Sequence, residues 1–309
     1  MKVCELGSSE LRPRLHTAEL FLRTGPFTAA IHSPFPEVAA AIELLYADFP
    51  VVVDDAYADF HLRLTPAPRL RDRLRGRCIC DVGGYHQFDP FPRAMLVPYL
   101  EWGLNWCAAN HAHQHLILHA ATLARGDRAL ILLGPSGAGK STLCTALALG
   151  GWRLLSDEMA IISPQTLQLT ALARPVSLKN ESIPLIRQLA PQAQFTSVTQ
   201  GERKGAVVHM RPEPSWVDQV AEPATPAWLL FVRHQADAPT ELREVSNARG
   251  FMRAAQCAFN YSLLGQRGFE TMAEVVDRCK LRYLRYSQLD DALPLLEQQL
   301  FNSPQQASL

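Results

Sequence analysis

The stretch GPSGAGKST, Gly134 to Thr142, follows the apolar run ALILL and precedes LCTALALGG. No other feature narrows the fold as much. The apolar run reads as a buried strand, and the segment after the loop reads as a helix closed by Gly150 and Gly151, where a left-handed C-cap costs little. Upstream, LILHAATLA and the turn RGDR make that strand the second arm of a hairpin running straight into the loop. Gly134, Gly139, Lys140 and Ser141 meet the pattern G-x-x-x-x-G-K-[ST]. Glycines let backbone N–H groups curl around a β-phosphate, Lys140 neutralises charge on β- and γ-oxygens, and the Ser141 hydroxyl offers Mg²⁺ a ligand. Contacts to ATP are therefore expected from Gly134, Ser136, Gly137, Ala138, Gly139, Lys140, Ser141 and Thr142.

With 309 residues, the chain has room for one main core and a smaller module. Hydrophobic residues make up 48% and charged residues 19%, the balance of a soluble globular protein. Lysine plus arginine (30) equals aspartate plus glutamate (30), which argues against a nucleic-acid partner. Seven scattered cysteines do not read as a disulfide framework and fit a reducing cytoplasm. The N-terminal MKVCELGSSELRPRLH has no signal-like apolar core, and no segment reaches the roughly 18 apolar residues of a membrane span, so no membrane partner is expected.

Residues 1–112 read as a small α+β module without a catalytic motif. FTAAIHS and YADFHLRLT are its strands; PEVAAAIELLYADF and PRAMLVPYLEWGLNWCAANHA are its helices, the latter with Leu96, Leu100, Gly103 and Cys107 at helical spacing. Residues 113–300 read as an α/β domain with a mixed sheet. After the loop helix, WRLLS and MAIISP flank Asp157-Glu158, and QLTALARP returns past the turn at Pro164. A polar stretch from Gln192 to Lys204 follows, then the strand AWLLFV, helices over 247–264 and 270–279, the strand LRYLRYS and the helix DDALPLLEQQL. Residues 301–309 read as a frayed tail.

Asp157 and Glu158 lie 17 and 18 residues after Lys140, at a strand-to-strand corner. Such a pair divides into a base for an incoming hydroxyl and a metal ligand, unless it is only a solvated acidic turn. His119 stands mid-strand, where a histidine is more often a satisfied core residue than a site residue. His111, His113 and His115 alternate as metal ligands do, but no cysteine or carboxylate completes a set.

The interval from His119 to Gly134, the loop itself and GWRLLSDE resemble the catalytic domain of bacterial HPr serine kinase/phosphorylase, whose pattern runs H-G-(x)-G-x-S-G-x-G-K-S-E and then R-L-V-A-D-D. The resemblance covers residues 115–180 well and the rest, to about 300, in outline. It implies a fold shared with phosphoenolpyruvate carboxykinase and ATP-dependent phosphorylation of a protein serine. It also implies roles: Lys140 and Ser141 at phosphate and Mg²⁺, Asp157 as base, Glu158 as the second metal-side carboxylate, and His119 beside the transferred phosphoryl group. Thr142 stands where that family has glutamate, Glu158 where it has a second aspartate, and residues 1–112 do not resemble its N-terminal domain. A closer likeness is to HPr-kinase-related proteins of bacterial biosynthetic gene clusters, including kinases that modify ribosomally made peptides and the HprK-related kinase A group, through the string RPVSLKN.

That string offers Arg174 and Lys179 as cations for the triphosphate or the transferred group, Arg174 in a catalytic role. GERKGAVVHMRP adds Arg203, Lys204, His209 and Arg211, a composition suited to a lid or to a plain solvated loop. Arg69, Arg71, Arg73, Arg75 and Arg77 alternate, and in a strand would share one face as an exposed edge or an acidic-peptide dock. The expectation is an ATP- and Mg²⁺-dependent phosphotransferase acting on a peptide or small-protein hydroxyl, as a monomer or homo-oligomer. The alternatives are a small-metabolite kinase and a nucleotide-binding switch without kinase activity.

Overall fold

The computed structural model describes residues 1–17, 20–52, 57–201 and 205–301. Two units emerge: Met1–Ala112 with Leu172–Ala221, and His113–Ala171 with Glu222–Leu309. The break after Ala112 matches the change in sequence texture, but the domain expected over 113–300 is interrupted, because Leu172–Ala221 belongs with the N-terminal residues.

The first unit starts with α1 (Val3–Thr17), interrupted at Gly7, where φ is 67°. It continues through β1 (Leu20–Thr24), β2 (Phe27–His32), α2 (Pro36–Leu45), β3 (Val51–Val52), β4 (Phe60–Pro66), α3 (Leu70–Leu74), β5 (Arg77–Val82), β6 (Tyr85–His86), β7 (Phe91–Pro92) and α4 (Leu96–His111). The strands form one sheet in the order β3-β1-β2-β4-β5-β6, with β7 also on β5. Leu96, Leu100, Gly103 and Cys107 are buried along α4, as their spacing predicts. At Gly103 the helix comes so near the sheet that a Cβ would lie 2.6 Å from Leu62 Cδ1 and 3.0 Å from Cys80 Sγ. The alternating arginines are not on a strand: Arg71 and Arg73 belong to α3, Arg69 and Arg75 flank it, and only Arg77 opens β5. Arginine and leucine favour helix, and Gly76 at φ 64° ends the turn, so the arginines spread around α3 instead of sharing a face.

The chain then enters the second unit through β8 (Leu116–Arg125), β9 (Arg128–Leu133), α5 (Lys140–Leu149), β10 (Arg153–Ser156), β11 (Met159–Ile162) and β12 (Leu169–Thr170). It returns to the first with β13 (Val176–Lys179), α6 (Ser182–Leu189), β14 (Thr199–Gly201), β15 (Gly205–Met210) and α7 (Pro214–Asp218), where the strands make a separate sheet, β13-β15-β14. The polar stretch from Gln192 is tied into this sheet: Thr196 N–H donates to His209 O, and Arg211 N–H donates to Gln194 O. Arg203 and Lys204 lie outside the described residues, as does the tail beyond Phe301.

The second unit is completed by β16 (Thr225–His234), β17 (Glu241–Glu244), α8 (Asn247–Gln256), α9 (Tyr261–Leu264), α10 (Gln266–Arg278), β18 (Lys280–Tyr286) and α11 (Leu289–Leu296). Its mixed sheet runs β12-β11-β8-β9-β16-β18-β17, with β10 also on β8. The neighbours β9, β16 and β18 are parallel, and their Leu130–Leu133 and Leu229–Val232 runs are buried on both faces, as parallel strands require. The helix expected over 247–264 is broken. Between α8 and α9 the chain pairs with β8: Cys257 O accepts His119 N–H, Phe259 N–H donates to Ile117 O, and the Asn260 side chain accepts from Ile117 N–H and donates to His115 O. Among the described residues no helix is long and apolar enough to cross a membrane.

Candidate functional site

β9 ends at Leu133 and α5 starts at Lys140, so the glycine loop joins strand to helix. Gly137 (φ 81°) and Gly139 (φ 87°) take the left-handed backbone that glycine adopts without strain. Gly139 is the N-cap of α5 and, having no side chain, makes no cap hydrogen bond at the start of the helix. Packing alone also demands two of the motif glycines. A Cβ on Gly134 would lie 2.7 Å from Val232 O of β16, and one on Gly139 would overlap Tyr286 Oη and reach 3.0 Å from His234 Cβ. Behind the loop, Tyr286 Oη donates to Gly139 O at 3.0 Å and His234 N–H donates to Ala138 O at 2.8 Å. Pro135, Ser136 and Gly137 are exposed, Ala138 is buried, and Ser141 and Thr142 are half-buried.

The Lys140 ammonium folds over this loop. Its Nζ donates to Gly134 O at 2.7 Å and to Pro135 O at 3.2 Å, and stands 3.3 Å from His119 Nε2. An ammonium only donates, so His119 Nε2 accepts and a neutral imidazole carries its proton on Nδ1. That nitrogen faces Glu158, whose Oε2 is 4.0 Å away. Held between Lys140 and Glu158, with its side chain 35% exposed, His119 is not a core residue.

Glu158 and Asp157 sit at the corner between β10 and β11. Ser156 Oγ accepts the N–H groups of Glu158 (3.3 Å) and Met159 (3.2 Å), fixing the turn. The corner is no solvated acidic turn: Asp157 is only 6% exposed. Its carboxylate lies near the Cys144 thiol of α5, which burial first and the Asp157 charge second push well above the usual thiol range. Cys257 also lies at the loop. Burial raises its thiol, while Lys140 and the backbone of Gly134 act the other way. Nothing in sequence marks Cys257, Tyr286 or His234 as neighbours of the loop, because only the chain's return through β16, β18 and the α8–α9 break brings them there.

The other candidates belong to the first unit. Arg174 is buried, and its guanidinium donates to Asn105 Oδ1 of α4. One turn earlier, Glu101 accepts from Tyr46 Oη at 2.7 Å. His209 of β15 is opposite Ser177 of β13, and burial, then Lys179, then Arg174 lower its imidazole to about 4. Arg211 pairs with Asp48 at 2.7 Å. The structure therefore places His119, Lys140, Ser141, Asp157 and Glu158 in one unit, and in the other the buried Arg174 and His209 with the half-buried Lys179. His111 packs against Phe60 and Trp106, and among the described residues no three His, Cys, Asp or Glu side chains gather as metal ligands.

No protein-family model matches the chain, and no curated protein does. Among solved structures it has a distant likeness to the Hpr(Ser) kinase/phosphatase from Coxiella burnetii, with 14% identity over 60% of this chain and 93% of that one, and a TM-score of 0.26.

Proposed function

We propose that the second unit binds ATP with Mg²⁺ at the Gly134–Thr142 loop and transfers the γ-phosphoryl group to a hydroxyl, that of serine, on a peptide or small protein. One observation carries this reading: the N-terminus of α5 has no side-chain cap, and the Lys140 ammonium over its loop is backed by His119 and Glu158. The residues present suit the pair. A helix N-terminus whose N-cap residue has no side chain suits phosphate oxygens, and Ser141, in the first turn, and Glu158 are oxygen ligands of the kind Mg²⁺ takes.

When bound, ATP supplies the transferable group and Mg²⁺ the charge that offsets its oxygens. The chain does the rest. Lys140 exchanges the carbonyls of Gly134 and Pro135 for phosphate oxygens. His119, its Nδ1–H toward Glu158, accepts from Lys140 and keeps the ammonium aimed. Asp157, buried and held by the Ser156 turn, takes the proton of the incoming hydroxyl. Arg174 is proposed as a further cation for the transferred group on the strength of RPVSLKN alone.

Incubation with γ-labelled ATP and a serine peptide library tests the assignment. Wild type is expected to label peptide, and Asp157→Asn to slow labelling by roughly 10² to 10⁴ while MgATP still binds. An Asp157→Asn variant that labels at the wild-type rate contradicts the base role. ATP hydrolysis without any labelled peptide favours a switch, and label in a small hydroxylated metabolite favours a metabolite kinase.

A further inference from the structure

Strands β4 and β5 pair as far as Pro66 opposite Cys78, and α3 lies in the connection between them, at the tip of that hairpin. The base of the tip is fixed. Ala67 is buried and its N–H donates to Arg77 O at 3.0 Å, while Arg93 N–H donates to Gly76 O at 3.2 Å. Above this base no residue of α3 is buried, and its two leucines stand in water, Leu70 72% exposed and Leu74 80%.

Four apart on a helix, the leucines share one face. At 3.6 residues per turn Arg71 and Arg73 flank that face, each about 80° to one side of it, and Asp72 falls directly opposite. The burial follows this arrangement, with Asp72 half-buried towards the protein and both arginines exposed. Arg69 and Arg75, at the two caps, are exposed as well. None of these four arginines forms an ion pair among the described residues, and Asp72, the single acid of 67–76, forms none either. Beside the base, Arg93 holds Glu37 at 2.7 Å, so that acid is already engaged. The positive charge of the tip is therefore not matched by its surroundings.

We propose that this tip docks on an anionic lipid bilayer, with Leu70 and Leu74 entering the boundary between headgroups and acyl chains and the arginines meeting lipid phosphates. Basic side chains alone suit any polyanion, and the leucines decide between them. A nucleic acid or an acidic peptide engages the arginines and leaves both leucines wet. A lipid surface takes leucine out of water while the guanidinium groups around it stay at headgroup level. The contact is with a surface and needs no spanning segment. It does not depend on the nucleotide chemistry of the other unit, because docking is measured with no nucleotide present.

Co-sedimentation of the full chain with lipid vesicles tests it, using phosphatidylcholine alone and an equal mixture of phosphatidylcholine and phosphatidylglycerol. The chain is expected to bind the mixed vesicles, more weakly as salt rises, and to stay in solution with the neutral ones. Arg71→Gln combined with Arg73→Gln is expected to weaken binding roughly twentyfold, about fivefold for each charge removed. Leu70→Ser combined with Leu74→Ser is expected to weaken it roughly tenfold or more. All four side chains are exposed, so both double variants are expected to melt as wild type. Arg249→Gln on α8, also exposed, is expected to bind as wild type. No binding to the mixed vesicles, equal binding to both kinds, or wild-type binding by either folded double variant overturns the inference. So does full release by glycerol phosphate at the lipid's own phosphate concentration, which marks a small-anion site.

Discussion

An imidazole between an ammonium and a carboxylate, as His119 is between Lys140 and Glu158, is oriented by both neighbours. His209 meets the opposite setting, two cations and no solvent, so it stays neutral. Its folded value near 4 lies below the ordinary 6.5, so the folded state binds fewer protons. The neutral form is therefore favoured by folding: this stability is fully present above 6.5 and is lost as pH falls from 6.5 towards 4. Replacing His209 with Gln is expected to flatten stability in that window, the difference curve sloping by up to about 1.4 kcal/mol per pH unit. Denaturant melts at several pH values read this directly, and parallel curves for the two proteins contradict it. At this scale the sequence weighs His119 towards the core, because β8 is apolar on both sides of it. Its exposure depends on Lys140, Glu158 and Phe259, which arrive from other elements.

At the scale of elements, α4 is legible because Leu96, Leu100, Gly103 and Cys107 keep one period along one buried face. Gly103 carries a prediction of its own. In an exposed helix interior, alanine is more stable than glycine by roughly 1 kcal/mol. Here Leu62 is fully buried and Cys80 sits behind it, so Gly103→Ala is expected to destabilise by about 1–3 kcal/mol. Combining it with Leu62→Ala should give less than the sum of the two costs, since each relieves the other, and strict additivity in the melts contradicts the close approach. Two elements misread from sequence have local causes. The arginine run alternates like a strand but winds into α3, which is too short to show a period. The α8–α9 break is set by partners on β8 more than a hundred residues away, through Asn260 and Cys257.

For the whole molecule, the texture change at 112 is readable and the return of Leu172–Ala221 to the first unit is not, since it is made by bonds such as Arg174–Asn105 and Arg211–Asp48. Such contacts leave no periodicity in the chain. The glycine loop is the reverse case: strand, loop and helix are contiguous, so β9, Gly134–Gly139 and α5 fall where the pattern predicts. All of the proposed chemistry depends on that loop holding a triphosphate through Lys140. Titration calorimetry with MgATP, on wild type and on Lys140→Ala checked for native melting, measures this without any acceptor. One MgATP per wild-type chain, a melting temperature raised by the nucleotide, and a loss of at least roughly tenfold in affinity in the variant are the predicted results. Unchanged MgATP affinity in a folded Lys140→Ala variant, or no binding to wild type, contradicts the account.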